Sequence, residues 1–379
     1  MVACDTGFPA DSLEFCPSHA ANDIFVCGTY KLDADKFSAE NQRIAAQHRR
    51  GQCLVFQVET SDGVDSTNEV PYRKIQEFDL PAVLDMKWGH TQENAQPLLA
   101  VADSEGNITF HRLNLDEVSV SLINGIALTH SLTQRHLSQV ERVQCTSPDT
   151  LCLSLDWANR LSRNPLDASL VVSLSNGSVC ILRPTEASVS LSDSWHAHDH
   201  EPWIAAWNYW NTNVLYTGGD DLKLKTWDVR CGFDSPIYVN HRFDAGITSI
   251  QSNPHTEHLL AVGSYNNTVQ LFDARQPLKP LVHADVGGGA WRVKWHPSAT
   301  RKHDLVVASM RDGFKVVSFE VGDSQGEVSV GGEGKITKRF DEHTSLAYGV
   351  DWSFAPSGSR DTIIGSCSFY DHTLHLWKG

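Results

Sequence analysis

The apolar positions of this chain alternate in short runs, and the runs return about every 45 residues. Laying "DDLKLKTWDVR" (Asp220 to Arg230) on "YNNTVQLFDAR" (Tyr265 to Arg275) places Trp227 on Phe272. Leu182 occupies the same slot before them, Ser318 and Trp377 occupy it after them, and weaker copies place it at His111 and Phe56. A second series runs through "DSLEFCP", "AVLDMKWGH", "LCLSLDW", "WIAAWNYW", "ITSIQSNP", "AWRVKWHP" and "LAYGVDWS", each closing near an aromatic or a proline. Between the two lies a third, from "DIFVCGTY" to "TIIGSCSFYD". The runs are short, rich in β-branched residues and bounded by Gly, Asn or Asp, so they predict strands rather than helices.

With a more variable outer strand, each unit has four strands, and the ending "WD" at Trp227 is the signature of WD40 propeller blades. The expectation is an all-β, seven-bladed WD40 β-propeller forming a single domain over 1–379. Its blades fall at about 11–79, 83–123, 151–194, 203–242, 247–284, 290–340 and 346–379. The last lacks one strand, which residues 1–10 are placed to supply. Polar stretches at 31–51, 59–70, 112–150 and 322–335 carry no core periodicity and read as loops.

The formal net charge of −15 argues against non-specific nucleic-acid binding. Nine cysteines without a CxxC pair read as reduced, mostly buried thiols. No run reaches the roughly 18 apolar residues of a membrane span, and the first residues do not resemble a signal peptide. The expectation is an intracellular, cytoplasmic protein without membrane contact.

Near the end, "GSCSFYDHTLHLWKG" sets a serine, an aspartate and a histidine within a few residues, the ingredients of a hydrolase. The repeat offers a plainer account. Asp371 and Asp221 each precede a blade-closing tryptophan by the same interval, and Asp312, Asn266, Asn176 and Glu105 fill that slot elsewhere. A recurring residue is architecture, with His198 expected to partner Asp221 and His343 to partner Asp371. Surplus to the repeat are Asp220, the histidines of "WHAHDHEPW" and the glycines of "GGGAWR". His196, His198 and His200 alternate as zinc ligands could, but no cysteine lies near and a polar loop does not fix their direction; no metal is expected. The motifs for phosphate loops, dinucleotide folds and nucleophile elbows are missing.

The words "WIAAWNYW", "YTGGDDLKLKTWD", "GGGAWRVKWHP" and "CSFYDHTLHLW" resemble the diphthine methylesterase family of WD-repeat proteins, most densely from Trp195 to Met310 and from Tyr348 to Trp377. The resemblance implies a carboxylic ester hydrolase that removes the methyl ester of diphthine on translation elongation factor 2, permitting the final amidation to diphthamide. It implies no cofactor and no direct nucleic-acid partner; a monomer is expected. The substrate carries a trimethylammonium group, which aromatic faces hold well, so Trp203, Tyr265, Trp291, Tyr348 and Tyr370 are the expected binding residues. Arg292 or the amides of Gly287 to Gly289 are candidates for the oxyanion. His198, His200 and Asp220 are the expected catalytic group, because histidine titrates near neutral pH. The alternative is a non-catalytic scaffold presenting the same face to a protein partner.

Overall fold

In the computed structural model, residues 3–33, 48–59, 70–90, 95–118, 132–162, 168–186, 188–324, 327–356 and 361–379 are described. They form seven antiparallel sheets. The innermost strands are Ala10–Phe15, Val83–Trp88, Cys152–Trp157, Ile204–Trp207, Ile247–Ser252, Ala290–Trp295 and Ala347–Trp352. Each packs against the next, and the seventh packs against the first, so the sheets are the blades of a closed seven-bladed β-propeller. The fourth strand of the last blade is Cys4–Asp5, which pairs with Thr373–Lys378 through Cys4 to Leu374 and Asp5 to Thr373. The Thr6 amide adds a hydrogen bond to the His372 carbonyl at 2.8 Å.

Every blade is buried on both faces, so successive side chains of one strand enter different cores. Leu259 and Ala261 join the cluster with the sixth blade, whereas Leu260 and Val262 join the one with the fourth. Seven such clusters lie in the seven gaps between neighbouring blades. At roughly 1.5–3 kcal/mol for each buried aliphatic or aromatic side chain, these gaps dominate cohesion. A second device fixes their geometry. The indole N–H closing an innermost strand donates to a carbonyl of the preceding one: Trp88 to Glu14 (3.3 Å), Trp157 to Lys87 (3.0 Å), Trp295 to Gln251 (3.1 Å) and Trp352 to Lys294 (3.0 Å).

Two of the expected loops are largely strand. Leu132–Gln144 pairs with Asn107–Val118, and Glu327–Phe340 pairs with Phe314–Ser324. The outer edge of the second blade therefore reaches Gln144, past the expected 123. Polar, two-sided sequence hid these hairpins because both faces of their outer reach are partly exposed, so no apolar alternation is required there. Within 31–51, Lys31–Leu32 pairs with Arg49–Val58; residues 34–47, 60–69 and 119–131 of the expected loops lie outside the described residues.

The turn networks settle the meaning of the serine, aspartate and histidine near the end of the chain. In the fourth blade Trp227 Nε1 donates to Thr217 Oγ1 (3.0 Å), Thr217 meets His198 Nε2 (2.7 Å), and His198 Nδ1 meets Asp221 Oδ1 (2.8 Å). Burial lowers the pKa of His198, so a neutral ring donates through Nδ1 and accepts through Nε2. The seventh blade repeats this chain with one change. Trp377 reaches Ser366 (3.2 Å), Ser366 meets His343 Nε2 (2.8 Å), His343 Nδ1 meets Ser368 (2.5 Å), and Ser368 donates to Asp371. Ser368 thus stands between His343 and Asp371, correcting the expected direct pair. A triad needs the histidine between carboxylate and hydroxyl; here the hydroxyl is in the middle, and the cluster is structural. In the sixth blade the fully buried Lys315 replaces the histidine, reaching the Val286 carbonyl at 2.6 Å and Asp312 Oδ2 at 2.8 Å. In the second blade Asp103, not Glu105, caps the turn, accepting from the amides of Glu105 and Asn107 at 2.9 Å. The residue after the slot is left-handed in six blades: Gly106, Gly177, Leu222, Asn267, Gly313 and His372.

Two outcomes are expected. Asp221→Ala leaves the buried His198 N–H without an acceptor and lowers unfolding free energy by about 1–3 kcal/mol, measured by denaturant titration. Deleting residues 1–8 strips the edge of Thr373–Lys378 and lowers the melting temperature by several degrees; an unchanged value refutes the role of this closure.

Candidate functional site

The innermost strands share a local irregularity that builds the site. Their pairing shifts by one residue at Asp11, Leu84, Leu153, Thr248, Trp291 and Tyr348. A bulge re-aims the extra side chain, and each of these lies at the mouth end of its strand. Trp203 holds the equivalent position in the fourth blade, immediately before Ile204. Of these seven positions, all but Thr248 line one cavity of about 440 Å³ at the mouth of the central channel, together with Tyr30, Leu151, Ser175, Glu201, Tyr265, Arg292 and Phe369.

The aromatic rings form a continuous arc around it. Trp291 lies between Trp203 (centroids 5.6 Å apart), Tyr265 (6.0 Å) and Tyr348 (4.9 Å). Phe369 continues the arc from Tyr348 at 5.0 Å, with Tyr370 a further 4.9 Å on and 71% exposed at the rim. Four of the five expected binding aromatics therefore line the cavity, and Tyr370 stands outside it. Phe369 and Tyr30 were not expected.

Arg292 is buried beside this arc, 5.7 Å from the Trp291 ring centre. Its Nη2 donates to the Leu84 carbonyl at 3.2 Å and lies 3.5 Å from Asp85 Oδ1, which orients the guanidinium from below. Three buried polar atoms of the lining have no partner: Asp11 Oδ1, Trp203 Nε1 and Trp291 Nε1. Such atoms are rare in folded proteins; all three belong to residues of the cavity wall but are themselves closed off from solvent. Burial drives the Asp11 carboxyl up to about 7, with Arg292 opposing the rise and Asp85 adding to it.

Deeper in the channel, the side chains three residues further along the innermost strands carry charge at Glu14, Asp156, Asp351, Lys87 and Lys294, whereas Ala206 and Gln251 are uncharged. Glu14 accepts from Lys87 at 2.9 Å and from Lys294 at 2.6 Å, and Lys294 lies 3.7 Å from Asp351. This belt narrows the channel to voids of about 20 and 30 Å³, which makes the mouth a pocket rather than a pore. A larger cavity of about 1240 Å³ opens at the opposite end of the strands. Its polar lining is satisfied, with His296 on Thr362 at 2.8 Å and Arg301 on Asp304 at 2.7 Å, and none of the unpartnered buried atoms lines it.

The expected catalytic group is dispersed. His198 is buried in the turn network with both ring nitrogens engaged, away from the cavity lining, so it has no nitrogen to offer a substrate. His200 is exposed two residues further along and is not in the lining, whereas its neighbour Glu201 lines the cavity. Asp220 is exposed and acts on Tyr265, whose hydroxyl burial and this carboxylate both push up in pKa. The Gly287 amide is held by Asp285 Oδ1 at 2.8 Å, and none of Gly287 to Gly289 lines the cavity; Arg292 does. His196 and His200 are exposed while His198 is buried, and among the described residues no three metal-ligating side chains converge.

Asp11 is the residue that sequence reasoning passed over. It sits four residues before the aromatic closing its strand, as do Leu84, Leu153, Trp203, Trp291 and Tyr348. Aligned on that aromatic, the mouth positions contain a single titratable carboxylate. The signal was present, but the "DSLEFCP" run reads as an ordinary strand until the bulge is known.

No protein-family model matches the chain. It is 35% identical over 360 residues to the diphthine methyltransferase of Mus musculus, covering 93% of this chain and 69% of that protein. The diphthine methyltransferase homolog of Dictyostelium discoideum is 32% identical over 392 residues, covering 98% and 96%. The Homo sapiens diphthine methyltransferase is 33% identical over 384 residues, covering 97% and 79%. Among solved structures, a chain from the crystal structure of a mitotic checkpoint complex superposes with a TM-score of 0.65 at 13% identity, covering 100% of this chain and 93% of that one, which is a likeness of fold. With this identity sustained along nearly its whole length and on a propeller framework, the chain belongs to the diphthine methyltransferase family.

Proposed function

We propose that this protein acts in diphthamide biosynthesis as a carboxylic ester hydrolase. Its substrate is the methyl ester of diphthine on translation elongation factor 2 in the cytoplasm, and its product is the free carboxylate that the final amidation requires. The observation that carries the reading is the aromatic arc around the cavity. A trimethylammonium group gains roughly 0.5–2 kcal/mol from each well-placed ring, and Trp291, Tyr348 and Trp203 offer three. Asp220 beside Tyr265 adds a negative charge at the rim. At about 440 Å³ the cavity is at the small end for ligand sites, which suits one modified side chain entering from a protein docked on the propeller face. Arg292 is the charged donor in the lining for an ester oxygen as it becomes an oxyanion.

The relatives' names favour a second reading, methyl transfer to diphthine. The two separate by products. Purified protein mixed with methyl-esterified elongation factor 2 and no methyl donor is expected to release methanol and leave a carboxylate. Product that forms only with an added methyl donor, by gain of a methyl group, refutes hydrolysis. Binding without turnover under either condition supports the scaffold alternative.

The binding surface has its own test. Trp291→Ala is expected to raise KM about 3–30-fold, the range of one lost cation–π contact. Asp220→Ala is expected to raise KM a few-fold while the melting temperature stays within a degree, because its carboxylate is exposed. Unchanged KM in both variants removes the arc from substrate recognition.

A further inference from the structure

We propose that Asp11 is the general base of this site, taking the proton from the water that attacks the ester carbonyl. The inference rests on the hydrolytic reading above and assigns its missing acid–base group. The geometry carries it. Asp11 is the bulged residue of its strand, with its pairing register broken between Ala10 and Ser12, and it lines the cavity. The residue is 8% exposed, no described hydrogen bond or ion pair engages either carboxylate oxygen, and Oδ1 is closed off from solvent, which leaves Oδ2 as the oxygen able to meet a ligand. A carboxylate on a cavity wall with no protein partner is an acceptor for a ligand proton.

Its surroundings suit that task. Arg292 faces it from the sixth blade, Asp85 from the second and Tyr348 from the seventh, while Glu201, Tyr265 and Tyr30 line the same cavity. Asp85 is committed elsewhere, with Lys87 Nζ at 2.6 Å and the Leu155 amide at 3.1 Å. Arg292 is anchored next to Asp11 without a direct ion pair within 4 Å among the described contacts, so it offsets only part of the burial that raises Asp11 and can also face the oxyanion. Burial holds the Asp11 pKa at about 7, near the pH at which the enzyme would work.

The step balances. The Asp11 carboxylate takes one proton of water as the oxygen bonds to the carbonyl carbon, and the carbonyl π electrons become the oxyanion facing Arg292. The intermediate then collapses, the carbon–methoxy bond breaks, and the Asp11 carboxyl returns its proton to the departing methoxide. Methanol leaves, and the product acid ionises to the carboxylate by releasing one proton to solvent.

The test is Asp11→Asn, which keeps shape and removes the base. Turnover is expected to fall at least 100-fold, within the range for a lost general base, with KM within about threefold of the parent. The parent kcat/KM is expected to rise with pH along a limb centred near 7, and the variant to lose that limb. A second readout does not depend on activity. Because the folded pKa lies above the unfolded value of about 4, ionised Asp11 destabilises the fold increasingly from pH 4 to 7. The variant is therefore expected to melt a few degrees higher than the parent above pH 7 and at the same temperature below pH 4. Turnover within threefold of the parent overturns the proposal and leaves the hydrolytic reading intact. Lost turnover with a lowered melting temperature at pH 8 also overturns it, as a structural role would. Absence of methanol release by the parent itself overturns both.

Discussion

Four indole N–H groups bonded to the carbonyls of preceding innermost strands set the dimensions on which everything else depends. Hydrophobic packing between blades is strong but non-directional, and would tolerate sliding. The bonds from Trp88, Trp157, Trp295 and Trp352 do not. They fix the heights of four of the seven innermost strands against their neighbours, and with them the level of the mouth residue four positions earlier in each. The mouth cavity is level because the closing tryptophans are level. Below it, the belt around Glu14 and Lys294 closes the channel with charges that are each other's partners, which is how a buried ionic ring avoids the full penalty of desolvation.

The same repeat makes two kinds of position that look alike in sequence. Asp221 and Asp371 are half-buried turn residues whose partners come from their own blade. Asp220, one residue earlier, is exposed beside Tyr265. His198 illustrates how titratable groups divide between these roles: its ring is chemically suited to acid–base work, but the network that stabilises its blade consumes both nitrogens. Asp11 is the reverse case, a carboxyl in an unremarkable strand that the backbone irregularity leaves without a partner.

The legible part of the protein was the part written in periodicity. Seven blades and the identity of their innermost strands follow from short apolar runs returning about every 45 residues, because a strand buried on both faces needs apolar side chains on both. The closing role of the first residues follows from the strand missing in the last unit. The hairpins at Leu132–Gln144 and Glu327–Phe340 were not legible, since partly exposed strands need no such pattern. The aromatic arc was legible at Trp203, Tyr265, Trp291 and Tyr348, where large rings stood in positions the repeat does not require. Asp11 was not, because a bulge is a property of pairing between strands and leaves no mark on one strand alone.

The seam between first and last blades has a consequence for how the pocket comes into being. Asp11 belongs to the first blade and Tyr348 to the seventh, and they meet across the seam where Ala10–Phe15 packs against Ala347–Trp352, beside the pairing of Cys4–Asp5 with Thr373–Lys378. A chain with any blade unfolded, or with the ring sprung open at that seam, has its carboxylate and its aromatic wall on separate pieces. Ligand occupancy of the mouth is then a latch on the circle: whatever binds there holds the two ends together, and its affinity reports whether the ring is whole.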